Sequence, residues 1–243
     1  MMLEGRNITK RFGGLLALSD LSFQVEKNEI VGLIGPNGSG KTTLFNTISG
    51  LYKPDAGRLF LKGVDITRKK PFQIARMGLG RTFQIVQPFE EMTVLENVAI
   101  GDLYGSGEGS IMKSRDKALE ILEFVGMKQK PSMLAADLTL PDRKRLEVAR
   151  ALATNPDIIL LDEVFAGLNE TEINESIALI FKIRDNKGIT IFMVEHVLSA
   201  IMKTCSRVIV LDYGQKLAEG TPQEVSRNPR VIEAYLGGAA CSK

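Results

Sequence analysis

Two hydrophobic rhythms alternate along this chain. Leu3–Ile8 and Leu21–Val25 place apolar residues at alternate positions, which predicts short strands with one buried face. Glu29–Ile34 (EIVGLI), Ile158–Leu161 (IILL) and Ile189–Val194 (ITIFMV) are nearly continuous in apolar residues. Such runs predict strands covered on both faces, the pattern of a parallel sheet. Between the last two, Ile173, Ile177, Ile180 and Phe181 recur at i, i+4, i+7 and i+8, which predicts one face of an amphipathic helix. Thr42–Ser49 predicts another helix and Arg58–Leu61 another strand. Arg207–Asp212 and Gln215–Glu219 read as a hairpin turning at Tyr213-Gly214. Pro222 opens a short helix, and Arg230–Leu236 forms the last.

The middle of the chain differs. Residues 92–153 carry mostly helical periodicity, interrupted by the flexible loop Gly105–Ser110 (GSGEGS). The expected organisation is one α/β core over 1–91 and 154–243, with a mostly parallel central sheet and an antiparallel β portion near the N-terminus. Residues 92–153 form an inserted helical subdomain within it. Composition changes this picture little. The 31 Lys+Arg against 29 Asp+Glu leave a net charge of +2, which argues against a strongly basic nucleic-acid binder, and no nucleic-acid partner is expected. Cys205 and Cys241 are too few for a disulfide framework and fit a reducing compartment. No apolar run approaches membrane-spanning length, and MMLEGRNITKRF lacks a signal-peptide core. Any role at a membrane is therefore expected to come from docking to a partner.

The strand EIVGLI runs directly into Gly35-Pro36-Asn37-Gly38-Ser39-Gly40-Lys41-Thr42. This fits G-x-x-x-x-G-K-[ST] in its required setting, a strand before and a helix after. Glycines let backbone N–H groups converge on phosphate oxygens, and the helix that follows points its positive end at the same anion. Lys41 is expected to reach β- and γ-phosphates, and the Thr42 hydroxyl to hold Mg²⁺. Asp162 closes the strand IILL, where a Mg²⁺-holding carboxylate belongs. Glu163 follows at once, placed to orient or deprotonate an attacking water. His196, the only histidine, follows the strand ITIFMV at its carboxyl end, the edge where open α/β sheets bind ligands.

Taken together these residues resemble the ATPase subunit of an ATP-binding-cassette (ABC) transporter, over about Leu3 to Gly237. The resemblance implies a P-loop NTPase core that binds ATP with Mg²⁺ and hydrolyses it to drive transport. Asn37–Thr43, including Ser39, Gly40 and Thr43, would cradle the phosphates. Gln84 in GRTFQ matches the family's glutamine loop, near Mg²⁺, with Gln87 the near alternative. His196 matches the histidine switch, and Phe12 in KRFGG the aromatic that stacks on adenine. KRFGGLLAL, GRTFQ with MTVLENV, AGLN, and LAEGTPQEV followed by RVIEAYLG resemble the ATPases of branched-chain amino acid importers. That resemblance implies two transmembrane permease subunits, a second ABC ATPase subunit, an extracytoplasmic solute-binding protein, and a peripheral position on the cytoplasmic face of the membrane. A lipopolysaccharide-export ATPase has a similar C-terminus, but its glutamine loop does not usually read RTFQ. A regulatory half with weak hydrolysis and a non-transport ABC protein are the other readings. The last usually carries two cassettes or a long coiled coil, and this chain has neither.

The family signature Leu-Ser-Gly-Gly-Gln, which completes the ATP site of the opposite subunit, is Leu138-Thr139-Leu140-Pro141-Asp142 here. Pro141 has no N–H to donate, Leu140 is bulky, and Asp142 is expected to bring a carboxylate near a γ-phosphate. These departures predict a heterodimer with a chain bearing an intact signature. The same residues also suit a plain helix start, over Asp142–Thr154. Val164 stands where the family usually has proline, and Asn169 where it usually has aspartate. The helical insertion is short for the importer subfamily. From Gln84 to Val98, Ile85, Val86, Pro88, Phe89, Met92, Val94, Leu95 and Val98 are apolar, rimmed by Arg81, Glu90, Glu91 and Glu96. The family places its groove for a membrane-subunit helix here. Half or more of these residues are expected in the core, with Phe89 and Met92 the most exposed.

Overall fold

Three apolar runs that the pattern assigns to strands are buried at every position: Ile30–Ile34, Ile158–Asp162 and Thr190–Val194. The computed structural model describes residues 1–83, 88–105 and 110–236. In chain order its elements are β1 (Leu3–Phe12), β2 (Leu15–Val25), β3 (Ile30–Ile34), α1 (Lys41–Ile48), β4 (Ala56–Leu61), β5 (Val64–Asp65), α2 (Pro71–Arg76), β6 (Leu79–Arg81), α3 (Val94–Gly105), α4 (Ile111–Phe124), α5 (Leu140–Ala153), β7 (Ile158–Asp162), α6 (Glu170–Lys187), β8 (Thr190–Val194), α7 (Leu198–Thr204), β9 (Arg207–Asp212), β10 (Gln215–Gly220), α8 (Pro222–Ser226) and α9 (Pro229–Leu236). They fall into two compact units, one of residues 1–74 with 190 onward, the other of 75–189.

In the first unit an antiparallel sheet runs in the order β2-β1-β4-β5. Strand β3 pairs in parallel with β8 and with β9, and β10 turns back antiparallel on β9. The hairpin of β9 and β10 turns where the sequence places it, at Tyr213-Gly214. Phe192 of β8 sits 5.2 Å from the Phe45 ring of α1 and 5.8 Å from the Phe23 ring of β2. Burying rings of this size stabilises by roughly 1.5–3 kcal/mol each, which ties helix and both sets of strands together. Strands β1 and β2 extend past the alternating segments, to Phe12 and from Leu15. Apart from the buried Leu18, the residues of those extensions are half-buried or exposed, so the ladder continues where the hydrophobic pattern has stopped. Cys205 is buried, and burial first, then the charge of Glu195, pushes its thiol up to about 12. It acts as a packing residue rather than a nucleophile.

In the second unit β6 pairs in parallel with β7. The pattern missed β6 because it has three residues with Gly80 at its centre. A side chain at Gly80 would meet Ala151 O and Pro156 Cβ at 3.2 Å, so glycine lets the end of α5 approach the strand. Helices α3, α4 and α5 pack on one another. Gly101 permits a close approach, since a Cβ there would lie 2.7 Å from Arg150 O. The buried Asp102 of α3 accepts from Ser114 Oγ at 2.7 Å and Lys117 Nζ at 2.6 Å, both on α4. Asn169 caps α6 in a reciprocal box with Glu172, and Gly188 ends that helix at φ +65°. The asparagine of AGLN therefore has a local reason: its amide oxygen accepts the Glu172 N–H at 3.0 Å.

Candidate functional site

The loop from β3 to α1 is built by backbone geometry that only glycine supplies. Gly35 has φ +154°, and a Cβ there would lie 2.2 Å from Leu211 O. Gly40 has φ +105°, and its Cβ would lie 2.6 Å from Ala17 O. Both positions therefore reject any side chain. Pro36 is half-buried, while Asn37 and Gly38 are exposed at the loop's tip. Ser39 N–H donates to Pro36 O at 3.2 Å, and Ser39 O accepts Gly214 N–H at 3.0 Å. The Ser39 hydroxyl is buried and has no hydrogen-bond partner among the described residues. Leu44 N–H donates to Gly40 O at 2.9 Å, so the N–H groups of Lys41, Thr42 and Thr43 come before the helical ladder. They sit at the positive end of α1. The Lys41 side chain is buried across the loop, its ammonium donating to Gly35 O at 2.8 Å and Pro36 O at 2.9 Å. The Thr42 hydroxyl group sits on an exposed residue beside it. A cradle of amide donors and one cation fits a polyphosphate.

Phe12 ends β1 and is 41% exposed. Its ring makes an edge contact with Tyr52, centroids 5.1 Å apart at 75°, and Lys10 Nζ lies 5.3 Å from its centroid. An exposed aromatic held this way can stack on a planar base. Phe12→Ala should weaken ATP binding by about 1 kcal/mol and leave binding of tripolyphosphate unchanged. Calorimetry with both ligands checks this, and equal weakening would make Phe12 a packing residue. His196 lies in the exposed turn between β8 and α7, two residues past the strand, as its place in the sequence suggests.

The second unit holds the two carboxylates. Asp162, the last residue of β7, is buried and pairs with Arg81 at 3.1 Å. Its own N–H donates to Thr82 Oγ1 at 3.1 Å. Arg81 was expected on the rim of an apolar patch. Instead its side chain is nearly buried, because a buried carboxylate needs a cation beside it. The guanidinium also lies 4.9 Å from the Phe83 ring. Glu163 follows in the left-handed region at φ +52°, uncommon for a residue with a side chain. Its carbonyl accepts from Lys144 Nζ at 2.7 Å, which helps hold that turn. Val164, in place of the usual proline, is buried. Gln84 and the alternative Gln87 lie outside the described residues, as do Ile85 and Val86.

The signature segment differs from expectation in two ways. Helix α5 starts at Leu140 rather than Asp142, with Thr139 as the cap residue and Pro141 in the first turn. The Asp142 carboxylate turns back into the unit, bonded to Lys130 Nζ and to Thr139 Oγ1, the latter at 2.7 Å. The expected bare negative charge is therefore already neutralised by an adjacent cation, and the Thr139 hydroxyl is engaged with it. Burial pushes the Asp142 carboxyl up, but the bonds from Lys130 and Thr139 outweigh this and hold it below the ordinary value. A lowered folded value means the ionised form stabilises the fold above about pH 4, and this is lost as pH falls through the folded value. Asp142→Asn should cost about 1 kcal/mol at pH 7. The deficit against wild type in thermal melting should shrink progressively below about pH 4. A deficit independent of pH would show that the charge is not involved. Leu140, 46% exposed, keeps its side chain at the surface.

Of the apolar residues after Gln84, Pro88, Val94 and Val98 are buried and Met92 and Leu95 half-buried. Phe89 is exposed, with the Arg150 guanidinium 5.1 Å from its ring. Asn97, fully buried, holds the Phe89 backbone: its Oδ1 accepts the Phe89 N–H at 2.9 Å and its Nδ2 donates to Phe89 O at 3.0 Å. The patch thus presents Phe89, while Met92 is less exposed than the pattern suggests. Sequence reading missed Arg81, Thr82 and Asn97. The Arg-Thr of GRTFQ was the available signal for the first two.

Comparison with known proteins bears on the family of the chain as a whole. The family model described as ABC transporter matches residues 18–166. A second, described as branched-chain amino acid ATP-binding cassette transporter, matches residues 215–241. The high-affinity branched-chain amino acid transport ATP-binding protein LivG of Salmonella typhimurium is 40% identical over 251 aligned positions, covering 98% of each chain. A nucleotide-free ATP-binding cassette from an ABC transporter superposes with a TM-score of 0.89 at 36% identity, covering 97% of this chain and 99% of its own. A dimeric bacterial ABC transporter cassette, MJ0796, superposes with a TM-score of 0.82 at 27% identity, covering 91% and 99%. Among the described residues, no helix is long and apolar enough to cross a membrane.

Proposed function

The chain belongs to the ABC transporter family as an ATP-binding subunit, and we propose that it hydrolyses ATP to power uptake of a branched-chain or chemically related amino acid. The observation that carries this is the loop of Gly35–Thr42, a donor cradle with a buried cation folded across it, in a chain whose C-terminal segment matches the branched-chain family.

In this reading Lys41 leaves the carbonyls of Gly35 and Pro36 for the β- and γ-phosphate oxygens. The amides of Asn37–Thr43 hold the remaining oxygens, and Phe12 stacks on adenine. The hydroxyl of Thr42, the carboxylate of Asp162 and the amide of Gln84 are hard oxygen donors, which suits Mg²⁺. That ion, when bound, would neutralise phosphate charge as the leaving group departs. Arg81, paired with Asp162 at 3.1 Å, orients it for this role. Glu163 accepts the proton of the attacking water, and His196 orients that water and the γ-phosphate.

The partners proposed are two membrane permease subunits and, indirectly, an extracytoplasmic solute-binding protein. The protein would then sit on the cytoplasmic face of the membrane, docked through the patch that presents Phe89. A second ATPase subunit completes the ATP sites. We assign it to a different chain, because Pro141 has no N–H to offer and Leu140 fills the place of a glycine. The charge at Asp142 no longer supports that assignment, being paired with Lys130. Reconstitution with the co-purifying permease subunits tests the whole reading. ATP turnover should rise when a leucine-loaded binding protein is added, and the purified complex should contain two distinct ATPase chains. Stimulation by lipopolysaccharide instead would favour the export reading.

A further inference from the structure

Lys144 lies on α5, just past the signature segment Leu138–Asp142. Leu140, Lys144 and Val148 recur at every fourth position and so share one face of the helix. That face meets the end of β7 and the loop after it. A Cβ on Gly167 would lie 2.9 Å from Leu140 Cδ2. Lys144 and Val148 border one small cavity with Leu161, Val164 and Ile180, so the lysine stem runs along apolar side chains. Its ammonium emerges at the Glu163 carbonyl, 2.7 Å away.

The residues on either side of Glu163 are fixed by their own contacts. Asp162 is buried against Arg81, and Val164 and Phe165 are buried. Glu163 itself is half-buried at φ +52°, a conformation that a Cβ disfavours. Its carbonyl accepts the Lys144 ammonium and also the Ala166 N–H, the latter at 3.3 Å. The charged donor makes the stronger bond, so Lys144 orients the peptide that follows Glu163. Backbone conformation sets the direction of the Cα–Cβ bond, and with it the region the carboxylate can reach. We propose that Lys144 is a positioning residue for hydrolysis, its ammonium keeping Glu163 in the left-handed conformation that aims the carboxylate at the attacking water. It acts through Glu163 and needs no contact with ATP. The inference rests on reading Glu163 as the general base. It gives the helix behind this chain's signature a task in this chain's own ATP site.

The test is Lys144→Met in this chain, assembled with its co-purifying partner subunits. Methionine keeps the apolar stem and removes the ammonium. The kcat for ATP should fall about tenfold, with KM for ATP within about twofold. Lys144→Arg, which keeps a cation of similar reach, should recover most of the loss. Lys144→Ala carries the same comparison if methionine disturbs assembly. A loss through packing, or through the signature's part in the opposite site, would not depend on Glu163. The decisive comparison is therefore made in Glu163→Gln. There Lys144→Met should slow single-turnover hydrolysis by less than about twofold, because the carboxylate it positions is gone. An equal loss in both backgrounds overturns the proposal, and so does wild-type kcat in Lys144→Met. Glu163→Gln separates this failure from a failure of the underlying reading. If it loses turnover while Lys144→Met does not, only the role of Lys144 falls. If it turns ATP over at the wild-type rate, Glu163 is not the base and the proposal falls with it.

Discussion

Replacing Lys41 with alanine is expected to weaken ATP binding more than a hundredfold. The side chain is buried, and its ammonium already rests on two loop carbonyls, 2.8 and 2.9 Å away. Nucleotide binding exchanges those neutral acceptors for charged phosphate oxygens. Hydrogen bonds to charged groups contribute about 1.5–3 kcal/mol each, so losing two costs on the order of 3–6 kcal/mol. At 1.4 kcal/mol per decade, even the lower figure exceeds a hundredfold. Calorimetry on a variant shown by thermal melting to be folded measures this directly. Affinity equal to wild type would remove the phosphate loop from the reading and the ATPase assignment with it.

Glu163→Gln should bind ATP as wild type does and turn it over about 10² to 10⁴ times more slowly, the range expected for losing a general base. The amide keeps the size of the carboxylate but cannot take a proton. The backbone of the turn should survive the change, because Lys144 holds the Glu163 carbonyl. Phosphate release in a single turnover separates chemistry from binding. Unchanged turnover would mean that another group activates the water. The contrast between the two variants is the stronger test: the Lys41 change is expected to affect binding and chemistry together, the Glu163 change chemistry alone.

Much of this site lies in contiguous sequence, and that part is legible. The order of strand, GPNGSGKT and helix specifies backbone conformation residue by residue, since φ values near +105° at Gly40 are available to glycine at no steric cost. The runs IILL and ITIFMV specify strands because few polar atoms interrupt them, and the strands are indeed buried throughout. The short β6 was not legible, because three residues around a glycine carry no period. Nor were the ends of β1 and β2, where main-chain pairing continues past the alternating hydrophobic pattern.

Asp142 shows where sequence reading stops. Its place in a degenerate signature suggests a bare charge aimed outward, yet its carboxylate pairs with Lys130, twelve residues earlier in the chain. Arg81 looks like a surface rim residue until the parallel pairing of β6 and β7 brings it to Asp162. Tyr235 comes to line one cavity with Ile34 only because α9 folds back beside β3. By itself the sequence determined the backbone of the glycine-rich loop and which groups are proposed to bind a triphosphate and serve hydrolysis, because those depend on residue type and local backbone. Only the tertiary structure decided which charges are neutralised. Electrostatic and hydrogen-bond partners act over a few ångströms in space, and nothing in the chain's order fixes those distances before it folds.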